Sequence, residues 1–280
     1  MTPSARTTLP YGSWPSSLDA ASVAAGRTRY SEARVDRGAV YWVEGRPSEG
    51  GRSALMRSAR DGDPVEVGPS GANVRSRVHE YGGGAYAVRD GRVFFVDDAT
   101  SRLVERGRGP LGEAGVRYGD PALHPSGAWL AVVEEREREG DEPTNHLVAL
   151  ATAGTATPTA LARIDAGHDF VSSPVFSSDG EWLAWLAWDH PNMPWDVSVL
   201  YAARVGPAGL RSEPRRIAGG DAALFQPRFA PDGRLCFVSD ASGWWNLYAV
   251  DLDAGGAPAP LCPMQAEFGA PQWALGMSRY

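Results

Sequence analysis

Residues 174–186 read PVFSSDGEWLAWL, and close variants return at Pro121–Val133 (PALHPSGAWLAVV) and Pro227–Ser239 (PRFAPDGRLCFVS). In each copy a Pro opens an apolar strand, an apolar side chain lies two residues later, and a Gly follows the Pro by six residues. The spacing from one copy to the next is 53 residues, twice in succession. Repetition at this period indicates a propeller or a solenoid.

Each copy describes a β-hairpin. Ser178, Asp179 and Gly180 separate two apolar runs, and Asp-Gly at such a point favours a hairpin because Gly readily adopts the positive φ of the turn. The second run, Trp182–Trp188, is apolar throughout, which is typical of a strand covered on both faces. A third strand is predicted after each hairpin, at Leu55-Met56, Leu103-Val104, Leu147–Leu150, Val199–Ala202 and Leu247–Val250. With a ragged fourth strand, each unit matches one propeller blade.

Weaker copies at Glu32–Glu44 and Ala85–Asp97 raise the number of blades to about five, and Pro271–Leu275 is predicted to be the first strand of a sixth. We therefore predict an all-β propeller over residues 31–280 that is incomplete at its C-terminus. Residues 1–30, with a helical stretch at 18–26, are predicted to be an arm that packs on the propeller or on a partner domain. An unfinished ring leaves an unpaired strand edge, so association through that edge is expected. A β-sandwich with coincidental turns is the alternative.

Composition limits the class of protein. The 280 residues are 43% hydrophobic and include 10 Trp, which is enough for a large core. The net charge of −7 argues against a nucleic-acid partner. The N-terminus has no apolar signal-peptide run and no stretch is long enough to span a membrane, so we expect no membrane partner. Cys236 and Cys262 are predicted to be free thiols in a reducing cytoplasm.

Propeller topology divides the loops between two faces. Loops that precede a first strand and loops that join second and third strands emerge on one face, and the hairpin turns emerge on the other. His, Asp, Glu and aromatic residues concentrate on the first face, and loops on a rigid scaffold often carry binding residues. The candidate substrate-binding residues are Arg77, His79, Glu80, Tyr81, His168, Asp169, Asp189, His190, Asn192, Trp195 and Trp244. The alternative for each one is a structural role, as a turn cap or as packing between blades.

Several kinds of chemistry lack their motifs. No Ser lies in the G-x-S-x-G setting of a hydrolase nucleophile elbow, so no catalytic residue is predicted. The run Gly82–Gly84 lacks the dinucleotide-binding pattern, and Asp251–Gly255 lacks the downstream Glu of a calcium loop. We predict no cofactor and no metal, with a metal site from His79, His168 and His190 as the weaker alternative.

Long stretches of the chain match a known family. The chain resembles the N-terminal β-propeller of S9-family serine peptidases, in the prolyl oligopeptidase clan, and within it the dipeptidyl aminopeptidase/acylaminoacyl-peptidase branch. The stretches that carry the resemblance cover nearly the whole chain. They are Tyr41–Arg52, Asn73–Tyr86, Gly167–Pro174, Trp185–Asp196, Phe237–Leu247 and Ala266–Ser278.

In that family the propeller precedes an α/β-hydrolase domain, which supplies a Ser-Asp-His triad. The resemblance implies that such a domain of a longer parent protein is the partner, and that the propeller admits and contacts a peptide substrate. Glu80 and Asp169 would then hold the free amino terminus of the peptide, with Arg77 as a partner for an anion. Because no triad is present, we expect a non-catalytic, truncated relative. The rival hypothesis is a TolB-like propeller that serves only as a protein-interaction module.

Overall fold

The computed structural model describes residues 8–24, 26–60, 62–152, 160–165 and 167–280. These residues form five antiparallel sheets, each built on four strands that follow one another in chain order. The first strand of each sheet contacts the first strand of the next sheet, so these strands are the innermost ones. The arrangement is a β-propeller of five blades, which confirms the predicted fold class.

The strands have 2 to 11 residues, and several pairs contain a β-bulge or similar register shift. Blades one and two contain β1 (Arg29–Asp36), β2 (Ala39–Arg46), β3 (Arg52–Ala59), β4 (Val65–Glu66), β5 (Tyr86–Arg89), β6 (Arg92–Val96), β7 (Leu103–Glu105) and β8 (Gly109–Leu111). Blade three contains β9 (Arg117–Leu123), β10 (Trp129–Arg138), β11 (Asp141–Ala151) and β12 (Ala160–Arg163). Blade four contains β13 (Phe170–Phe176), β14 (Trp182–Trp188), β15 (Val199–Gly206), the small extension β16 (Gly209–Leu210) and the outer strand β17 (Arg215–Gly219). Blade five contains β18 (Leu224–Phe229), β19 (Leu235–Ser239), β20 (Asn246–Val250) and β21 (Ala259–Pro260). All five predicted third strands lie within β3, β7, β11, β15 and β20.

The repeated hairpin also ties each blade to its neighbour. At the turn between β13 and β14, Gly180 has φ +76°, and a Cβ on it would lie 3.0 Å from the ring of His124 in blade three. Asp179 accepts a hydrogen bond from the backbone N–H of Glu181 at 2.9 Å, which closes the turn. The Gly is therefore required by both the turn and the contact between blades.

The core consists of four apolar clusters, one between each pair of successive blades. Every residue of β14 is buried, as its continuous apolar run predicts. The indole N–H of Trp129 in blade three donates to the carbonyl oxygen of Gly206 in blade four at 2.9 Å. Apolar burial and such polar links together fix the angle between adjacent blades.

One repeated hydrogen bond joins the innermost strands. The Glu32 carboxylate accepts from the N–H of Ala85 at 3.0 Å, and the Asp120 carboxylate accepts from the N–H of Ser173 at 2.7 Å. The Gln226 carbonyl oxygen accepts from the N–H of Arg279 at 2.5 Å. Each of these bonds spans 53 residues, the period of the sequence repeat. The three acceptor residues all have positive φ.

The C-terminal residues differ from the expectation for a sixth blade. Residues 271–275 form no strand, and Leu275 makes a single parallel bridge with Gly83. The backbone of Arg279, instead, takes the same position beside β18 that Ser173 takes beside β9. The alignment of Pro271 with the repeat is therefore wrong, because the 53-residue period assigns the Pro position to Tyr280.

The N-terminal arm contains α1 (Ala20–Ala24), inside the stretch predicted to be helical, and Pro47–Glu49 form a short 3-10 helix. In the described arm, Tyr11, Trp14, Leu18 and Val23 are all exposed. Both cysteines are free thiols, with Cys236 half-buried and Cys262 exposed, as expected. Within the described ranges, no helix has the length and hydrophobicity needed to cross a membrane.

Candidate functional site

A cavity of about 520 Å³ opens at the end of the propeller where the innermost strands begin. Its walls come from the loop before β5, the loop before β13, the β10–β11 hairpin, the β14–β15 loop and residues 272–275. Eight of the eleven candidate residues line it: His79, Glu80, Tyr81, His168, Asp169, His190, Asn192 and Trp195. Loops that are distant in sequence therefore meet at this cavity, whereas a role of these residues in substrate binding stays a prediction.

Aromatic rings form one wall of the cavity. Phe170 stacks on Trp188 with ring centroids 5.3 Å apart, and the imidazole of His79 meets both rings edge-on at 5.3 Å and 5.5 Å. Nearer the opening, the rings of Trp195 and Trp273 lie 4.5 Å apart. Such faces attract cations as well as apolar groups.

Two His–Asp pairs connect the loop before β13 to the β14–β15 loop. His168 Nδ1 lies 2.7 Å from the Asp189 carboxylate, and His190 Nδ1 lies 3.1 Å from the Asp169 carboxylate. The backbone N–H of His190, and then its imidazole, hold the pKa of Asp169 below its ordinary value. His168 Nε2 also lies 2.9 Å from the hydroxyl of Tyr201. Asp169 thus stays a carboxylate at the edge of the cavity.

His79 lies deeper in the cavity wall and is uncharged at neutral pH. Burial lowers the pKa of His79 to about 4. Its backbone N–H donates to the Glu135 carboxylate at 2.8 Å, and its φ of +55° is unusual for a residue other than Gly. Strained backbone of this kind is frequent at binding sites.

The Glu80 side chain is exposed to solvent and forms an ion pair with Arg117. Arg117 lies 2.8 Å from both Glu80 and the buried Glu135, and 2.5 Å from Glu137. Burial raises the pKa of Glu135, and the His79 N–H and the Arg117 guanidinium oppose that rise. A single Arg shared by three carboxylates leaves this side of the cavity negative.

Four buried polar atoms in the lining have no hydrogen-bond partner within the described residues. They are His79 Nε2, Asn145 Oδ1, His146 Nδ1 and Gln272 Oε1. His146 Nδ1 nevertheless lies 3.2 Å from the Asp165 carboxylate, so the other three are the ones open to a ligand. The other ends of the two amides are held in place, since Asn145 Nδ2 donates to the Asp169 carbonyl at 3.2 Å and Gln272 Nε2 donates to Ser172 Oγ at 3.1 Å. Buried acceptors without partners are rare in folded proteins and point to a ligand that donates hydrogen bonds.

Three candidate residues lie outside the lining. Arg77 forms a bidentate pair with Asp98, at 2.6 Å and 3.0 Å, so an anion would have to displace a carboxylate. Asp189 supports the cavity through His168, and Trp244 is partly exposed in blade five. Across the described ranges, no group of three His, Cys, Asp or Glu residues could hold a metal ion.

Several lining residues are not among those predicted from the sequence. Glu135 lies in β10 beyond its apolar run, where the stretch EEREREG reads as a solvated turn. Asn145 and Trp188 lie within strands, where the face of a side chain is not evident from loop topology, and Phe170 lies at the boundary between the predicted loop and β13. The Gly82–Gly84 run serves packing, because a Cβ on Gly83 would collide with the carbonyl oxygen of Leu275.

Comparison with solved structures identifies the family. The chain is similar to puromycin hydrolase, at 35% identity and a TM-score of 0.83 over 97% of this chain. It is also similar to a puromycin-hydrolysing peptidase of Mycobacterium tuberculosis, at 34% identity and a TM-score of 0.84, again over 97% of this chain. The chain has the N-terminal propeller of an S9-family peptidase. The resemblance found in the sequence is thereby confirmed.

This S9 propeller spans 45% and 44% of the lengths of those two proteins. It shares its fold with a prolyl endopeptidase at 15% identity and a TM-score of 0.55, over 83% of this chain and 35% of that one. No protein-family model and no curated protein matches the chain. The dipeptidyl/acylaminoacyl branch stays a prediction.

Proposed function

We propose that this chain is the substrate-gating propeller of a cytoplasmic peptidase, in which an α/β-hydrolase domain supplies the catalytic groups. The cavity would receive the amino-terminal end of a short peptide or of an aminoacyl compound such as puromycin. The arm at residues 1–30 would contact the hydrolase domain through its exposed aromatic and aliphatic side chains. Dipeptidyl or acylaminoacyl specificity would depend on how much of the substrate the cavity holds.

The observation that carries the proposal is the set of unpartnered buried acceptors inside an acidic, aromatic cavity. Asn145 Oδ1 and Gln272 Oε1 require hydrogen-bond donors, and an ammonium group supplies three. The Asp169 carboxylate at the rim supplies the opposite charge, and the rings of Phe170 and Trp188 supply a cation-binding face. Five carboxylates line the cavity (Glu80, Glu135, Asp141, Glu142 and Asp169) against one guanidinium, that of Arg138.

The size of the first cavity would let the propeller select substrates although it supplies no catalytic group. A cavity of about 520 Å³ accommodates a few residues of an extended peptide and excludes a folded domain. Its walls come from three successive blades, so a substrate that fills it would contact several loops at once.

Calorimetry on the purified chain tests the proposal with puromycin and N-acetylpuromycin, which differ at the amino group. We expect puromycin to bind and N-acetylpuromycin to bind at least tenfold more weakly, since a charged hydrogen-bonded group is lost. Asp169→Asn should weaken puromycin binding about tenfold and leave N-acetylpuromycin unchanged. Asp63→Asn, at an exposed position outside the cavity, is the matched control.

Equal binding of the two compounds would contradict the amino-terminal assignment. Absence of small-ligand binding, together with capture of a folded protein by the same face, would instead support the interaction-module hypothesis.

A further inference from the structure

A second cavity, of about 160 Å³, lies at the opposite end of the propeller axis. It is lined by the later residues of the innermost strands, among them Arg34 in β1, Arg89 in β5, Asp120 in β9 and Arg228 in β18. The first cavity lies where those strands begin, and the two linings adjoin at Leu275 and Gly276, which line the first and the second cavity respectively. No residue lines both cavities.

Three arginines from three different blades converge on this small space. Within the described residues, none of Arg34, Arg89 and Arg228 has a carboxylate oxygen within 4 Å of its guanidinium. Arg34 Nε is buried and has no hydrogen-bond partner among those residues. Burial lowers the pKa of Arg228, and the nearby Arg34 charge adds to that effect. Buried guanidinium groups ordinarily bind a carboxylate, a phosphate or a carbonyl group.

The nearest acids offset these charges only in part. The Asp120 carboxylate is committed to the backbone N–H of Ser173 at 2.7 Å, and the Glu32 carboxylate to that of Ala85 at 3.0 Å. Burial raises the pKa of both carboxyl groups. Three guanidinium groups therefore face one lining carboxylate, in a protein whose net charge is −7.

The geometry points to a binding site for a small oxyanion, with phosphate or carboxylate chemistry, held by Arg34, Arg89 and Arg228. Guanidinium groups bind such oxyanions through paired N–H donors, and three of them can surround one anion of phosphate size. The unpartnered Arg34 Nε–H is one donor that the anion would satisfy. Since each Arg belongs to a different blade, a bound anion would link blades one, two and five at the axis.

Calorimetric titration of the full chain with inorganic phosphate, at constant ionic strength set by chloride, tests this site. We expect saturable binding of one phosphate. Arg228→Gln should weaken it at least tenfold, because one charged donor pair is lost. Asp120→Asn should strengthen it several-fold, because it removes the competing negative charge and keeps an acceptor for the Ser173 N–H. Arg75→Gln, an exposed position that lines neither cavity, should leave binding unchanged.

Competition distinguishes the two sources of oxyanion. Displacement of phosphate by acetate at matched ionic strength supports a carboxylate ligand, and failure of acetate to compete supports a phosphate ligand. Absence of saturable phosphate binding would overturn the inference, as would equal affinities for the wild type and Asp120→Asn. Thermal melting of each variant shows whether it is folded. If Arg228→Gln does not fold, the phosphate affinity of Asp120→Asn decides whether the site exists.

Discussion

The His190 imidazole lies 3.1 Å from the Asp169 carboxylate, while the residues beside them, Asp189 and His168, form the reverse pair at 2.7 Å. The loop before β13 and the loop after β14 therefore each supply one His and one Asp, and each His pairs with the Asp of the other loop. Two crossed pairs fix the relative position of the loops better than a single pair, because a movement of either loop would break both His–Asp contacts. The edge of the first cavity is held at this point.

Asp189→Asn should loosen the edge of the first cavity without unfolding the protein. Asp189 accepts from His168 Nδ1 at 2.7 Å and from the backbone N–H of Asp169 at 2.8 Å, and an amide oxygen is a weaker acceptor for both. We expect puromycin affinity to fall about fivefold with little change in melting temperature. Calorimetry measures the affinity, with Asp63→Asn as the exposed control. Unchanged affinity would show that the crossed pairs do not position the cavity.

Deprotonation of Glu32 should lower the free energy of unfolding as the pH rises from about 5 to 8. Burial raises its pKa from 4.5 to about 7, so the folded state binds a proton that the unfolded state releases at lower pH. The stabilisation is complete below pH 4.5 and is lost as the pH rises through 7, and its size is about 3 kcal/mol.

Glu32→Gln tests this pH dependence, since a Gln oxygen can still accept from the N–H of Ala85. Urea denaturation at pH 5 and pH 8 should show a smaller loss of unfolding free energy in the variant than in the wild type. Glu139→Gln, which is exposed, should behave as the wild type does. If Glu32→Gln loses as much unfolding free energy between pH 5 and pH 8 as the wild type does, the pH dependence belongs to another group.

Gly83→Ala should destabilise the propeller strongly. A Cβ on Gly83 collides with the backbone of Leu275, at a φ of +83° that already costs a side chain about 1 kcal/mol. Gly115→Ala is the matched control, because Gly115 has φ +79° and open space around it. We expect a loss of at least about 3 kcal/mol for Gly83→Ala and about 1 kcal/mol for Gly115→Ala in denaturant unfolding. Equal losses would mean that residues 271–275 move aside.

The outer face of β1 should promote self-association. Tyr30 and Val35 are 71% and 75% exposed on this strand, which within the described ranges pairs with β2 alone. Exposed apolar residues beside a strand edge favour pairing with a second copy. Light scattering should show oligomers, and Val35→Glu should shift them to monomer, whereas Val23→Glu in the exposed arm should not. A monodisperse wild-type monomer would contradict this expectation.

The purified chain should not hydrolyse aminoacyl reporter substrates. It has no G-x-S-x-G motif, so we expect no Ser to act as a nucleophile. A fluorophosphonate probe should therefore leave the protein unlabelled, with a complete S9 peptidase as the positive control. Stoichiometric labelling of any Ser would require a different mechanism.

Much of the fold could be predicted because the determining signals are local. A Pro, an Asp-Gly turn and a doubly covered apolar strand recur together, and each has a direct physical meaning for one hairpin. Topology then assigned eight residues from separate loops to one cavity. The sixth copy was misplaced because Pro271 matches the repeat in composition but not in period, and the hydrogen bond from Arg279 to Gln226 reveals the correct register.

The polar interior could not be predicted in the same way. Whether Asn145 and Gln272 keep an acceptor without a partner depends on the packing of several blades, which no single stretch of sequence records. The convergence of Arg34, Arg89 and Arg228 has the same origin. In the sequence each is an ordinary strand arginine, and only the folded propeller places the three around one cavity.

The 53-residue hydrogen bonds along the axis limit how such a protein can vary. Glu32, Asp120 and Gln226 each set the distance from one blade to the next through a single side chain next to the axis. Blade two has much shorter strands, yet Asp120 still joins it through a backbone bond to Gly84 at 2.7 Å. The width of the bore is thus set independently of the length of the strands in each blade. Insertions at the periphery can reshape the outer surface, and with it the docking of other domains, while the two axial cavities keep their dimensions.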